Sequence, residues 1–163
     1  MKPLNADLHC HSTVSDGLLA PADVVRRAHD NGVELLALTD HDELGGLAEA
    51  RAAAADLHLN FVDGVEVSIS WGDDQTVHVV GLGVDPAHAE LGAGLEHIRS
   101  GRDTRAARMA AELDKVGIHG AYEGALRHVG NPALISRAHF ARYIVELGPV
   151  SYTHLTLPTS DLV

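Results

Sequence analysis

Glu34 to Thr39 (Glu-Leu-Leu-Ala-Leu-Thr) is a nearly unbroken apolar run of strand length, set between two helical patterns. A strand without polar alternation is one buried on both faces, the environment of a parallel sheet covered by helices. The flanking sequence repeats the theme. Leu4 to Leu8 reads as a first strand, followed by a loop from Ser12 to Ala20 and a helix. Pro21 suits the first helical position, Asp23 the positive helix end, and Val24, Val25 and Ala28 one stripe, with Asn31-Gly32 as the stop. Leu44 to Leu57 is Ala-rich and reads as a second helix. Two strand–loop–helix units in succession predict a parallel α/β architecture, in which sites gather at the carboxyl ends of the strands.

Chemistry-bearing residues fall at those ends. His9 and His11 are two apart, so in extended backbone their side chains point the same way while Cys10 points to the other face. Asp16 follows inside Ser-Asp-Gly, a turn sequence that can bring it back toward them. Asp40-His41-Asp42 directly follows the apolar strand. Imidazoles and carboxylates at strand ends form the donor set of a metal site.

Leu59 to Val62 reads as a third strand, broken at Asp63-Gly64. Val65 to Trp71 alternates strictly and Thr76 to Gly83 returns from Gly72-Asp73-Asp74-Gln75, which predicts an antiparallel hairpin carrying Glu66 and His78. A four-residue loop would put His78 on the face opposite Glu66. The two can serve one site only with an odd-numbered loop, a bulge, or a meeting around a strand end. Beyond Ala87 the pattern is helical, with stripes at Leu91, Leu95 and Ile98 and at Ala106, Met109, Ala110 and Leu113. A short helix is expected over 122–129, and another from the Asn131 cap and Pro132 through Ile135, Phe140 and Ile144 to Gly148-Pro149. Residues 151–163 break the composition and read as a non-native tail, translated adapter or vector sequence.

These motifs resemble the PHP family, the polymerase and histidinol phosphatase phosphoesterases. The carriers are Asp-Leu-His9-Cys-His11-Ser, Ser-Asp16-Gly, Leu-Thr-Asp-His41-Asp, Gly-Val-Glu66 and Val-His78-Val-Val-Gly, in order over roughly residues 3 to 150. The resemblance implies a partial, distorted (β/α)7 barrel of the PHP type, with residues 1–86 as its N-terminal part and 87–150 as a helical insertion. Within the family the chain is most similar to stand-alone bacterial enzymes with such an insertion. These are nucleoside 3′,5′-bisphosphate phosphatases, some of which also degrade RNA from its 5′ end in the manner of RNase AM. Ser136-Arg137-Ala138-His139 resembles their Arg-x-His helix.

By that resemblance His9 and His11 hold a first metal, Glu66 bridges it to a second held by His78, and Asp16 and His41 hold a third. Asp16, His41 and Glu66 then carry the catalytic role. Manganese is the expected ion, with Fe²⁺, Zn²⁺ or Mg²⁺ as alternatives. The family's three later ligands, a histidine in a His-Pro motif and an Asp-x-His pair, have no counterpart in this sequence. The implied reaction is hydrolysis of phosphate esters of nucleotides by metal-activated hydroxide. Arg137 leads the candidates for substrate phosphate, with Ser136 and His139 beside it, followed by Arg102 and Arg105. Two other readings stay open: a non-catalytic PHP module that binds metal or a partner, and a histidinol phosphatase.

Blander roles compete for the other residues. Arg99, Arg102, Arg105 and Arg108 fall three apart on one expected helix, a spacing that fits a solvated face before a substrate clamp. Asp40 and Asp42 either orient His41 or cap the following helix. Cys10 reads as a packing residue. Six further histidines, at 29, 58, 88, 97, 119 and 128, read as surface or helix-packing residues.

Composition narrows the partners. A net charge of -11 argues against a stable nucleic-acid coat, though not against a phosphorylated nucleoside or short RNA met through bound cations. No apolar run has membrane-spanning length, and one cysteine with no export pattern fits the cytoplasm. Aromatic residues are 4% of the 163, so the core must rest on Val, Leu, Ile and Ala.

Overall fold

The computed structural model describes residues 3–72 and 75–148. The expected tail, 151–163, lies outside them. The elements run β1 (Ala6–Cys10), α1 (Pro21–Asp30), β2 (Leu35–Leu38), α2 (Leu47–Asp56), β3 (Asn60–Trp71), β4 (Gln75–Leu82), α3 (Ala89–Ser100), α4 (Arg102–Lys115), α5 (Ala121–Leu126) and α6 (Arg137–Glu146). The α/β reading holds. The sheet has the order β1-β2-β3-β4, with β1–β2 and β2–β3 parallel and β3–β4 antiparallel.

β2 is buried as its composition demands, with Leu36, Ala37 and Leu38 at most 1% exposed. Leu36 and Leu38 pack with Val25 and Ala28 of α1 and Leu47, Ala50 and Ala54 of α2 into one apolar cluster. A second cluster joins the later helices through Ala106, Met109, Ala121, Ala125, Phe140 and Tyr143, with Ile135 from the segment before α6. The side chains of each helix that fill these clusters recur at helical spacing, so burial of a stripe holds the segment in place.

β3 corrects the expected break at Asp63-Gly64. The strand is continuous and changes partner there, pairing with β2 over residues 60–63 and with β4 over 64–71. Gly64 permits the changeover: a Cβ there would stand 2.7 Å from Thr39 Cγ2 and 3.0 Å from the Leu38 carbonyl oxygen. The hairpin register pairs Trp71 with Gln75 and Ser68 with His78, leaving three residues between the paired ends. The odd count puts His78 on the Glu66 face, where the four-residue reading had put it opposite.

The last helix is also corrected. Pro132–Leu134 is a separate 3₁₀ turn capped by Asn131, whose side chain accepts from Ala133 N–H at 3.1 Å. Ile135 is extended and α6 starts anew at Arg137. The four arginines do not share one helix: Arg99 lies on α3, and Gly101 separates it from Arg102 at the head of α4.

Candidate metal centre

The six residues picked from the sequence converge. Glu66, which pairs with Val80 of β4 and forms an isolated bridge with His41, is 6% exposed and central to the group. His9 Nε2 lies 2.8 Å and His11 Nε2 3.0 Å from its Oε2. His41 Nδ1 lies 3.5 Å from the same oxygen, and His78 Nδ1 3.6 Å from Oε1. Asp16 faces the other side of the pair His11 and His41, at 3.5 Å and 3.8 Å. Three triplets, His9–His11–Glu66, His11–Asp16–His41 and His41–Glu66–His78, each bring their donor atoms within 4.8 Å.

Local structure aims these side chains. The pairing of β1 with β2 carries an irregularity between Asp7 and Cys10, so His9 sits where the strand leaves strict register. His41 forms a parallel bridge with Glu66: Glu66 N–H donates to the Asp40 carbonyl at 3.2 Å, and Asp42 N–H to the Glu66 carbonyl at 3.0 Å. The loop bearing Asp16 is folded on itself, with Gly17 N–H donating to the Ser12 carbonyl at 2.7 Å. A Cβ on Gly17 would lie 2.3 Å from the His11 carbonyl oxygen, so only glycine closes this turn.

Asp40 and Asp42 take neither role expected of them, since no hydrogen bond joins either carboxylate to His41 and α2 begins later, at Leu47. Asp40, 2% exposed, accepts from Ser12 N–H at 2.7 Å and from the hydroxyls of Ser12 and Ser15 at 2.6 Å each. It therefore anchors the loop between His11 and Asp16. Asp42, fully buried, accepts from Ser68 N–H at 2.7 Å and forms an ion pair with Arg102. Sequence reasoning missed Ser12, Ser15 and Ser68 as supports. The only available signal was their position one or two residues from a ligand, which small hydroxyl residues often share without purpose.

Electrostatics follow from this crowding. Burial lowers the basicity of His41 against the opposing pull of Asp16 and Glu66. For Glu66, burial raises the carboxyl pKa, but the His9 hydrogen bond and the charges of His41, His11 and His9 outweigh it, and the net direction is down. Burial, with Asp7 and Asp40 adding, pushes the Cys10 thiol up to about 12, and its Sγ donates to the Ala37 carbonyl at 3.2 Å. That thiol is a packing group.

The donor set fits divalent cations. His9 Nε2 and His11 Nε2 stand 3.2 Å apart against one carboxylate oxygen, an arrangement hydrogen bonds alone satisfy poorly and a shared cation satisfies well. His41 Nδ1 is buried with no hydrogen-bond partner among the described residues. Mixed imidazole and carboxylate donors suit Mn²⁺, Fe²⁺ or Zn²⁺.

A cleft of about 420 Å³ opens beside the cluster, lined by Asp16, His41 and His78 together with Arg102, Arg105, Ser136 and Arg137. Met109, Ile135 and Phe140 add apolar surface. The candidate phosphate residues thus divide. Arg105, Arg137 and Ser136 line the cleft. Arg102 also reaches it but is 8% exposed and paired with Asp42. His139 does not line it: 1% exposed, its Nδ1 accepts from Ser136 N–H at 3.0 Å at the start of α6. Burial, with Arg142 adding, lowers its pKa to about 4, so it is a neutral structural histidine. The six histidines read as surface or packing residues are exposed, except His128, which is half-buried against Glu146.

Comparison with known proteins places this arrangement. The PHP domain is the family whose sequence model matches, over residues 7–157. The chain is 56% identical over 146 residues to the 3′,5′-nucleoside bisphosphate phosphatase of Chromobacterium violaceum, covering 90% of this chain and 51% of that protein. It is 41% identical over 147 residues to the 5′-3′ exoribonuclease Rnm of Escherichia coli, covering 89% and 50%. Among solved structures, an amidohydrolase from Chromobacterium violaceum with bound sulfate and no metal superposes with a TM-score of 0.86 at 56% identity, over 90% of this chain and 51% of that one. A Bifidobacterium adolescentis protein assigned as a metal-dependent phosphoesterase gives 0.78 at 26% identity, over 94% and 58%. The chain spans about half the length of the curated relatives it matches.

Proposed function

The chain belongs to the PHP-domain family, and on that premise we propose that it is the ligand-bearing part of a metal-dependent phosphoesterase for phosphorylated nucleosides or RNA 5′ ends. The observation that carries this reading is the placement of six convergent donors next to a cleft that Arg105 and Arg137 also line. His9, His11, Asp16, His41, Glu66 and His78 would hold the ions, Glu66 being shared because it faces four imidazoles. When held there, divalent ions, manganese foremost, would supply a nucleophilic hydroxide and neutralise charge on the phosphoryl oxygens.

The protein's own residues do the rest. Asp40 fixes the loop that presents His11 and Asp16. Arg105 and Arg137 face a second phosphate, where guanidinium geometry matches phosphate oxygens. Met109, Ile135 and Phe140 offer apolar surface to the nucleoside. Such a lining suits a substrate with two phosphate groups about one nucleoside apart, which agrees with the name of the Chromobacterium violaceum phosphatase. The helices of residues 87–150 act in this reading as the substrate-binding part of the family's insertion.

The test is metal content, followed by phosphate release by the protein extended to the length of its relatives. Substrates are adenosine 3′,5′-bisphosphate, 5′-phosphorylated oligonucleotides and histidinol phosphate. Release from the nucleotides with manganese bound is expected. Metal binding without release from any of them would overturn the enzymatic reading in favour of a binding module.

A further inference from the structure

Asp42, next to the ligand His41 but not itself among the six, is tied to the later helices. Its backbone and side-chain polar groups are engaged by three elements, β3, α3 and α4. Its N–H donates to the Glu66 carbonyl at 3.0 Å, and its carboxylate accepts from Ser68 N–H at 2.7 Å and pairs with Arg102. Its carbonyl accepts from Arg99 Nη1 at 2.5 Å. Its backbone has φ of 52°, a left-handed conformation that an aspartate tolerates better than most residues but does not prefer. Burial is complete. A charged residue held in an unfavourable backbone region and wholly desolvated persists only where the surroundings require it.

Arg102, its partner, is the first residue of α4, and Arg105 follows one turn later on the same side of that helix. Both reach the cleft. The carboxylate of Asp42 occupies the Arg102 guanidinium, whose Nη2 also lies 3.4 Å from Ser68 Oγ. Arg105 has no such partner among the described hydrogen bonds and ion pairs. Burial, together with Arg102 and Arg137, lowers its pKa, so positive charge gathers where it stands.

Resting on the function proposed above, we propose that Asp42 and Arg102 form a positioning pair that fixes Arg105 in the cleft beside the metal-binding cluster. Arg102 then makes no substrate contact of its own. The pair ties the loop after β2, on which His41 sits, to the helix that carries the phosphate-facing arginine. Distance between the reacting phosphoryl group and the second phosphate is thereby set by one buried ion pair instead of by a flexible surface contact.

The experiment is a double-mutant cycle between Asp42→Asn and Arg105→Ala in the manganese-loaded protein. Binding of adenosine 3′,5′-bisphosphate is read by calorimetry and binding of Mn²⁺ by electron paramagnetic resonance. Asparagine tolerates the left-handed backbone and keeps an acceptor for Ser68 N–H, so the substitution removes mainly the charge. Each single variant is expected to weaken nucleotide binding about 10- to 100-fold, the worth of a charge-assisted phosphate contact. The double variant should be no weaker than Arg105→Ala alone, because Asp42 acts through Arg105. Mn²⁺ affinity should stay within about threefold of the parent.

Should Asp42→Asn fail to fold, Asp42→Asn/Arg102→Met replaces it in the cycle. Removing both buried charges together avoids an uncompensated ion. Unchanged or tighter nucleotide binding by Asp42→Asn would overturn the proposal, since a released Arg102 would then be a contact in its own right. Additive losses, or a parallel loss of Mn²⁺ affinity, would overturn it too. A parent protein that binds metal but no nucleotide would instead remove the reading of the cleft, and this proposal with it.

Discussion

Replacing Asp40 with alanine should unfasten the loop that carries His11 and Asp16. The carboxylate is 2% exposed and accepts three hydrogen bonds, at 2.7, 2.6 and 2.6 Å, from donors on Ser12 and Ser15. Both serines are themselves buried, at 0% and 2%. A hydrogen bond to a charged acceptor is worth about 1.5–3 kcal/mol, so three give roughly 5–9 kcal/mol gross. The two hydroxyls can rotate, and Ser15 Oγ already lies 3.4 Å from His11 Nδ1. The Ser12 N–H has no such freedom. The net cost should therefore fall at about 3–5 kcal/mol. Asp40→Asn should cost less, on the order of 1–2 kcal/mol, because one amide oxygen still accepts from Ser12 N–H and Ser15. Urea unfolding followed by circular dichroism reads both values, and with a slope of about 1–3 kcal/mol/M the midpoint for alanine should drop by about 2 M. Mn²⁺ affinity should fall with it, since His11 and Asp16 lose their fixed geometry. An alanine variant within about 1 kcal/mol of the parent would refute the anchoring role.

Other outcomes follow from the same geometry. Glu66→Gln keeps the shape but weakens an acceptor shared by four imidazoles, and should lower Mn²⁺ affinity by more than about 100-fold in equilibrium dialysis, beyond the effect of losing a supporting residue. Gly64→Ala would press a methyl group 2.7 Å from Thr39 Cγ2, and should cost about 2–3 kcal/mol by calorimetry; a thermally neutral variant would contradict the close approach. His139 has a folded pKa of about 4 against an ordinary value of 6.5, so below pH 6.5 the unfolded chain binds a proton that the native state refuses. Its contribution is full above pH 6.5 and is lost as pH falls toward 4, on the order of 3 kcal/mol, and His139→Asn should flatten that part of the stability–pH curve.

Much of this protein was written in its local sequence. The apolar run at Leu35–Leu38 demanded burial on both faces, and the parallel pairing with β1 and β3 satisfies it. Strand-end histidines two apart, a turn carrying Asp16 and a histidine after the apolar strand needed no tertiary information to be recognised as one donor set. Such features are periodic or contiguous, and short-range geometry fixes them. Other features depended on contacts between distant segments. The hairpin's side-chain faces turned on a single residue of loop length, because strand periodicity is two and one step exchanges the faces. Asp40 and Asp42 flank the same histidine in sequence, yet one holds the loop before α1 and the other holds α4. Arg102 had the spacing of a solvated face and lies buried, because its partner is sixty residues away on another element. Side-chain partners across such separations leave no periodic trace in the chain, so only the assembled fold could choose between support and contact.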